Sequence, residues 1–172
     1  MSLRRINHVV LSVADLDRST AFYRDALGLE LVSTLPAQDN WKEMRFFRAP
    51  GSSSNHHDLA IIANATLPLP GWGQPSAPGL FHFAFELGTI GELQQLGARL
   101  KQIGAWVEEI EQPMHLSVYT RDPDGLAIEI VWRTPNADWT YEDLWRRPLD
   151  YDTAGQRWGA ALATGSAAGE AA

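Results

Sequence analysis

Residues 80–87 read LFHFAFEL, and laid over residues 6–13, INHVVLSV, they bring His82 onto His8. The match continues along the chain: FYRDALGLEL (22–31) overlays ARLKQIGAWV (98–107), and FRAPG (47–51) with LAII (59–62) overlays TRDPDG (120–125) with LAIE (126–129). Each copy reads as a strand, a helix and three strands, so the chain carries an internal repeat of a βαβββ unit. Element order, the glycine that stops each helix and the histidine in each first strand all agree, and agreement across levels supports the repeat.

Local signals fill in the unit. Residues 5–13 are β-branched and apolar enough for a strand, and Asp15 and Asp17 then offer N-cap oxygens to a helix through DRSTAFYRDALG (17–28). Phe22, Tyr23, Ala26 and Leu27 form its apolar stripe and Gly28 closes it. LELVS, KEMRFF and HHDLAIIA read as the next strands. Pro68, Pro70, Pro75 and Pro78, with Gly71, Trp72 and Gly73, mark a connector without regular structure. The second copy has LFHFAFEL, then a helix over IGELQQLGARLKQIG with Leu93, Leu96, Leu100 and Ile103 on one side and Gly104 as its stop. AWVEEI, HLSVYT and LAIEIVW complete it. Beyond Arg133, Pro135 ends the last strand, Asp138 offers a cap to a short helix carrying Trp139, Leu144 and Trp145, and from Ala154 an Ala- and Gly-rich tail follows.

With 172 residues, 45% of them hydrophobic and seven Trp, the chain has the core for one domain. The net charge of −7 opposes attraction to nucleic acid or an anionic membrane surface. No stretch approaches the roughly 20 apolar residues of a membrane helix, and MSLRRINHVV lacks the apolar core of a secretory signal, so the chain reads as cytoplasmic. The absence of cysteine excludes disulfides, thiolate ligands and a thiol nucleophile. Any metal falls to His, Asp, Glu or backbone oxygen.

Three strands each place one polar residue among apolar neighbours: His8 after Asn7, His82 between Phe81 and Phe83, and Glu129 between Ile128 and Ile130. A carboxylate inside a sheet costs several kcal/mol in desolvation unless it meets a cation or a dense set of donors. Alternation puts His82, Ala84 and Glu86 on one face of their strand and Phe81, Phe83, Phe85 and Leu87 on the other. With helices covering one face of a curved sheet, His8, His82 and Glu129 are expected on the opposite, concave face. Two imidazoles and a carboxylate with open positions suit Fe(II), and Mn(II), Zn(II), Ni(II) and Co(II) can use the same atoms.

These residues resemble the vicinal oxygen chelate superfamily, which includes glyoxalase I, fosfomycin- and bleomycin-resistance proteins and extradiol ring-cleaving dioxygenases. The resemblance spans residues 4–133 and rests on INHVVLSVADLDRSTAFYRDALGLEL, LFHFAFEL and YTRDPDGLAIEIVW. It implies an α+β fold of two paired βαβββ repeats, 4–64 and 79–133, forming a curved mixed sheet around a metal-binding cavity with helices outside. A C-terminal helical extension over 134–153 and a flexible tail over 154–172 follow. It also implies that His8, His82 and Glu129 bind the metal.

Within that superfamily the residues look closest to the extradiol branch. HHDLAI resembles a strand that supplies an acid-base histidine, here His57, and Tyr119, ten positions before Glu129, matches a tyrosine that hydrogen-bonds the substrate. His115, four residues before Tyr119, shares its face and is an imperfect match to a further histidine. Trp41 and Trp72 are candidate walls for an aromatic substrate. The repeat aligns Ile62 with Glu129, which favours three ligands, although His56, His57 or Asp58 could supply a fourth in another register. The expected activity is a catechol 2,3-dioxygenase-like cleavage. A glyoxalase- or epimerase-like lyase or isomerase acting on a dicarbonyl-type substrate would want Asp58 as a ligand. A non-catalytic resistance protein would have no use for the three ligands. Family members of this size often dimerise, and Trp139 and Trp145 are the expected interface.

Overall fold

A computed structural model describes residues 5–38, 42–63, 79–139 and 144–166. The chain divides into two compact units, Met1–Pro70 with Asp122–Gly125, and Gly71–Arg121 with Leu126–Ala172. The architecture is α+β, with one mixed sheet in each unit.

In the first unit the strands β1 (Val9–Val13), β2 (Glu30–Leu35), β3 (Met44–Arg48) and β4 (Leu59–Ala63) lie in the order β1-β4-β3-β2. β1 and β4 are parallel and the other pairings antiparallel. The helix α1 (Leu16–Ala21) starts at Asp15, whose carboxylate accepts from the Arg18 backbone N–H, and continues as a π-helical turn over Phe22–Ala26. Gly28 adopts φ 81, the left-handed conformation a side chain resists, and the chain turns there into β2. Val13, Tyr23, Phe47, Leu59, Ala60 and Ile61 make the core. The DPDG turn is pinned in this unit. Asp122 accepts from the Tyr23 hydroxyl at 2.9 Å, while Asp124 accepts from the Ala14 backbone at 2.8 Å and pairs with Arg18 at 2.6 Å.

The second unit repeats the plan with β5 (His82–Glu86), α2 (Ile90–Gln102), β6 (Trp106–Glu111), β7 (His115–Arg121) and β8 (Ala127–Arg133), and with a short added strand β9 (Arg147–Pro148) the order is β5-β8-β7-β6-β9. β5 and β8 are parallel, as β1 and β4 are. Each copy bulges in the first half of its second strand, between Leu31 and Ser33 and between Trp106 and Glu108. Thr89 caps α2, accepting from the Glu92 backbone while its hydroxyl donates to the Glu92 carboxylate. The buried stripe is Ile90, Leu93, Gly97 and Leu100. Ile103, expected on that stripe, is the C-cap and 53% exposed, because the helix stops at Gln102.

The C-terminal segment corrects the sequence reading. Asn136–Asp138 is a single 3-10 turn, and Asp138 accepts from the Trp158 indole at 2.7 Å. The added strand β9 (Arg147–Pro148) pairs with β6, and the helix α3 (Tyr151–Trp158) is capped by Asp150. The extension therefore passes the expected boundary at residue 153. The stretch read as a tail is docked as far as it is described: Thr164 bonds its backbone N–H to Gly88 O, Trp132 donates to Leu162 O, and Thr89 bridges to Ala163. Docking runs through backbone groups and the Thr164 hydroxyl, which accepts from the Arg133 backbone and donates to Glu86, and the Ala- and Gly-rich composition does not reveal the backbone part.

Candidate metal centre

Strand alternation assembles the cluster in the second unit. Glu129 on β8 stands opposite Tyr119 on β7 and Ala84 on β5, and His82 stands opposite Ala127, two residues from Glu129 on the same face. His115, Ser117 and Tyr119 alternate along β7, so all three point at the same carboxylate. Glu129 is 6% exposed. Its Oε1 accepts from Tyr119 OH at 2.6 Å and Ser117 Oγ at 2.7 Å and lies 3.2 Å from His115 Nε2. Its Oε2 lies 3.3 Å from His82 Nε2. Gln112 adds its amide nitrogen 3.1 Å from His115 Nε2 and 3.5 Å from Tyr119 OH.

This environment fixes the charges. Burial by itself would raise the Glu129 pKa, but hydrogen bonds from His115, Tyr119 and Ser117 and the nearby His115 charge bring it down to about 2. Burial first, then the bond and charge of Glu129, push the Tyr119 pKa well above its ordinary value. Tyr119 is thus held as a neutral phenol beside an ionised carboxylate.

The first unit carries the other histidines. His8 is exposed on the approach to β1, with Nδ1 2.8 Å from Asn7 Oδ1 and its ring 4.6 Å from that of His57. His56 and His57 precede β4 rather than lying in it, with their Nδ1 atoms 3.0 Å apart. Burial, then the neighbouring His8 and His56, lower the His57 pKa, against a smaller opposing effect of Asp58. Asp58 is occupied otherwise: it accepts from Ser53 Oγ at 2.6 Å, the Ala49 backbone at 2.9 Å and Asn55 Nδ2 at 2.9 Å.

The ladders also revise the counterpart of Glu129. Ala84 pairs with Glu129 in the second unit, and Val10, which overlays Ala84 when His8 overlays His82, pairs with Ala60 in the first. The matching residue is Ala60 rather than Ile62, because LAII and LAIE align by letters while the sheets pair two residues out of that register. Neither side chain ligates.

The structure thus brings together His82, His115, Tyr119 and Glu129 in one unit and His8 with His57 in the other. Trp41 and Trp72 lie outside the described residues. Among the described residues, no group of three or more His, Asp or Glu side chains has a metal-holding arrangement. The pair His82 and Glu129 does fit two ligands of one ion: donors about 2.1 Å from a metal stand about 3.0 Å apart at a right angle and about 3.4 Å apart at the tetrahedral angle, and these stand at 3.3 Å. Sequence reading missed Ser117 and Gln112. The i, i+2, i+4 spacing of 115, 117 and 119 was the signal for Ser117; Gln112 reaches the cluster from the turn before β7 and had none.

A repeated βαβββ sheet with an inward His and Glu on parallel strands defines a class, and comparison with known proteins defines it further. Residues 5–130 match the Glyoxalase/Bleomycin resistance protein/Dioxygenase superfamily, and the chain belongs to it. It is 30% identical over 131 residues to biphenyl-2,3-diol 1,2-dioxygenase 3 of Rhodococcus globerulus, covering 73% of this chain and 62% of that enzyme. It is 24% identical over 134 residues to human mitochondrial methylmalonyl-CoA epimerase, covering 75% and 74% of the two. A glyoxylase/bleomycin resistance protein/dioxygenase domain from Frankia sp. EAN1pec shares the fold, with a TM-score of 0.64 at 24% identity over 77% of this chain and 100% of that one. No helix among the described residues is long and apolar enough to cross a membrane.

Proposed function

We propose that the chain is a divalent-metal-dependent extradiol dioxygenase that cleaves a small catecholic substrate, with His8, His82 and Glu129 as ligands and Fe(II) as the ion. The observation that carries this reading is the buried, ionised Glu129, with one oxygen held by Tyr119 and Ser117 and the other beside His82 Nε2. A carboxylate and imidazoles with open positions are the donor set suited to Fe(II). When bound, such an ion supplies a Lewis acid that lowers the proton affinity of two adjacent catechol oxygens.

The chain's own residues supply the rest. His57, beside His8 and with a lowered pKa, favours the neutral form at pH 7 and is suited to accept a proton from a catechol hydroxyl. Tyr119 keeps its phenolic proton and donates a hydrogen bond, with His115 beside it on the same face. Trp41 and Trp72 remain the proposed walls for the ring. Ala60 offers no donor and Asp58 is taken by its own loop, which supports three protein ligands rather than four. We read the working form as a cytoplasmic homodimer whose interface includes Trp139, Trp145 and the exposed Leu144.

Protein loaded anaerobically with Fe(II), mixed with catechols including 2,3-dihydroxybiphenyl and then with air, is expected to yield a yellow ring-cleavage product. Both atoms of dioxygen enter the product as the bond beside the paired hydroxyls breaks. No colour across the panel would overturn the reading. The match to the epimerase, over 75% of this chain and 74% of that one, supports a second reading, racemisation of an acyl-CoA thioester, for which metal-loaded protein and methylmalonyl-CoA are the assay.

A further inference from the structure

Ser117 is fully buried in the middle of β7, between His115 and Tyr119 on the same face, and its hydroxyl donates to Glu129 Oε1 at 2.7 Å. A carboxylate rotates about its last bond through a broad torsional well, so the direction of its oxygens is set by what each oxygen meets. Oε1 accepts from Tyr119 OH and Ser117 Oγ, which fill its two acceptor sites, with His115 Nε2 3.2 Å away. Tyr119 and His115 are long side chains with their own partners, Gln112 among them. Ser117 has one short rotor on the central strand and, standing opposite Val131, reaches the carboxylate from the position diagonal to Glu129. Together these contacts turn Oε2 toward His82 Nε2, 3.3 Å away.

We propose that Ser117 is a positioning residue that locks the rotation of Glu129, so that Oε2 rather than Oε1 is presented with His82 Nε2 as one edge of the metal site. This rests on the reading of His82 and Glu129 as ligands and not on the dioxygenase chemistry. Ligand-orienting hydrogen bonds of this kind carry about 10- to 100-fold in metal affinity. Removing the hydroxyl frees the carboxylate to turn or to chelate through both oxygens, and returning a hydroxyl on the same carbon restores the lock.

The test is Co(II) binding to the full chain, followed by calorimetric titration and by the visible ligand-field spectrum, for wild type, Ser117→Ala and Ser117→Thr. Wild type is expected to bind. Ser117→Ala is expected to bind about 10- to 100-fold more weakly with an altered band pattern, and Ser117→Thr to return most of the affinity and the original bands. Far-UV circular dichroism checks that each variant folds, and if the alanine variant does not, the threonine and a Ser117→Cys variant carry the comparison. Wild-type affinity and bands in Ser117→Ala, or no Co(II) binding by wild type, overturn the proposal. Catechol inertness alongside Ser117-dependent Co(II) binding removes the dioxygenase reading alone.

Discussion

Tyr23 and Asp122 stand 99 positions apart in the chain and are joined by a buried hydrogen bond of 2.9 Å from phenol to carboxylate. Burial first, and then the charge of Asp122, raise the Tyr23 pKa, so the phenol keeps its proton and remains a donor. Tyr23→Phe leaves the buried carboxylate short of a donor, which costs about 1–3 kcal/mol. The urea midpoint is expected to fall accordingly at unchanged slope. An unmoved midpoint would show that the bond carries no net stability.

Glu129 links stability to acid. Its folded pKa of about 2 lies below the unfolded value of about 4.3, so the metal-free protein holds this contribution above the unfolded pKa and loses it as pH falls toward the folded one. Between pH 6 and pH 3 the loss is about 2 kcal/mol. Urea unfolding of metal-free wild type and Glu129→Gln over that range should show the acid loss smaller in the variant by about that amount, and parallel curves would refute it.

Asp58 separates three ligands from four. Its carboxylate accepts from Ser53, Ala49 and Asn55, so Asp58→Ala is expected to lower stability by about 1–3 kcal/mol. Metal affinity, measured with Co(II), is expected to fall by about tenfold at most rather than to be lost, since Asp58 reaches the segment of His8 only through Asn55, which bonds Asn7, and through its backbone bond to Val9. Loss of metal binding in this variant would place Asp58 on the ion and favour the epimerase-like reading.

Trp158 tests the docked extension. Its ring lies 5.5 Å from that of Trp132 and its indole nitrogen donates to Asp138. Trp158→Ala removes a half-buried aromatic and is expected to cost about 2–3 kcal/mol, less than the roughly 3–5 kcal/mol of a fully buried one. Thermal unfolding followed by near-UV circular dichroism reads this, and an unchanged transition would mean that the extension adds nothing to the second unit.

Much of the fold was legible because the repeat states it twice: eight strands, two helices and the glycine stops at 28 and 104 fall where pattern and punctuation put them. The face shared by His115 and Tyr119 was readable from alternation alone. Registers were not. Matching letters set Ile62 against Glu129, whereas the ladders set Ala60 there, since pairing is decided by which side chains pack rather than by which letters repeat. The C-terminal helix was misplaced because a cap residue such as Asp138 does not by itself start a helix; the helix follows Asp150, where Ala154 is buried and Trp158 half-buried within the second unit.

By itself the order of residues settled the doubled βαβββ plan and marked Glu129 as a carboxylate set among apolar neighbours, for both follow from local periodicity and from the desolvation cost of a lone carboxylate. Only the folded chain decided that Glu129 is gripped by Ser117 and Tyr119 on one oxygen and faces His82 with the other, and that Asp122 belongs to Tyr23. Those contacts depend on strand register and side-chain direction across long sequence separations, where near-neighbour patterns carry no information.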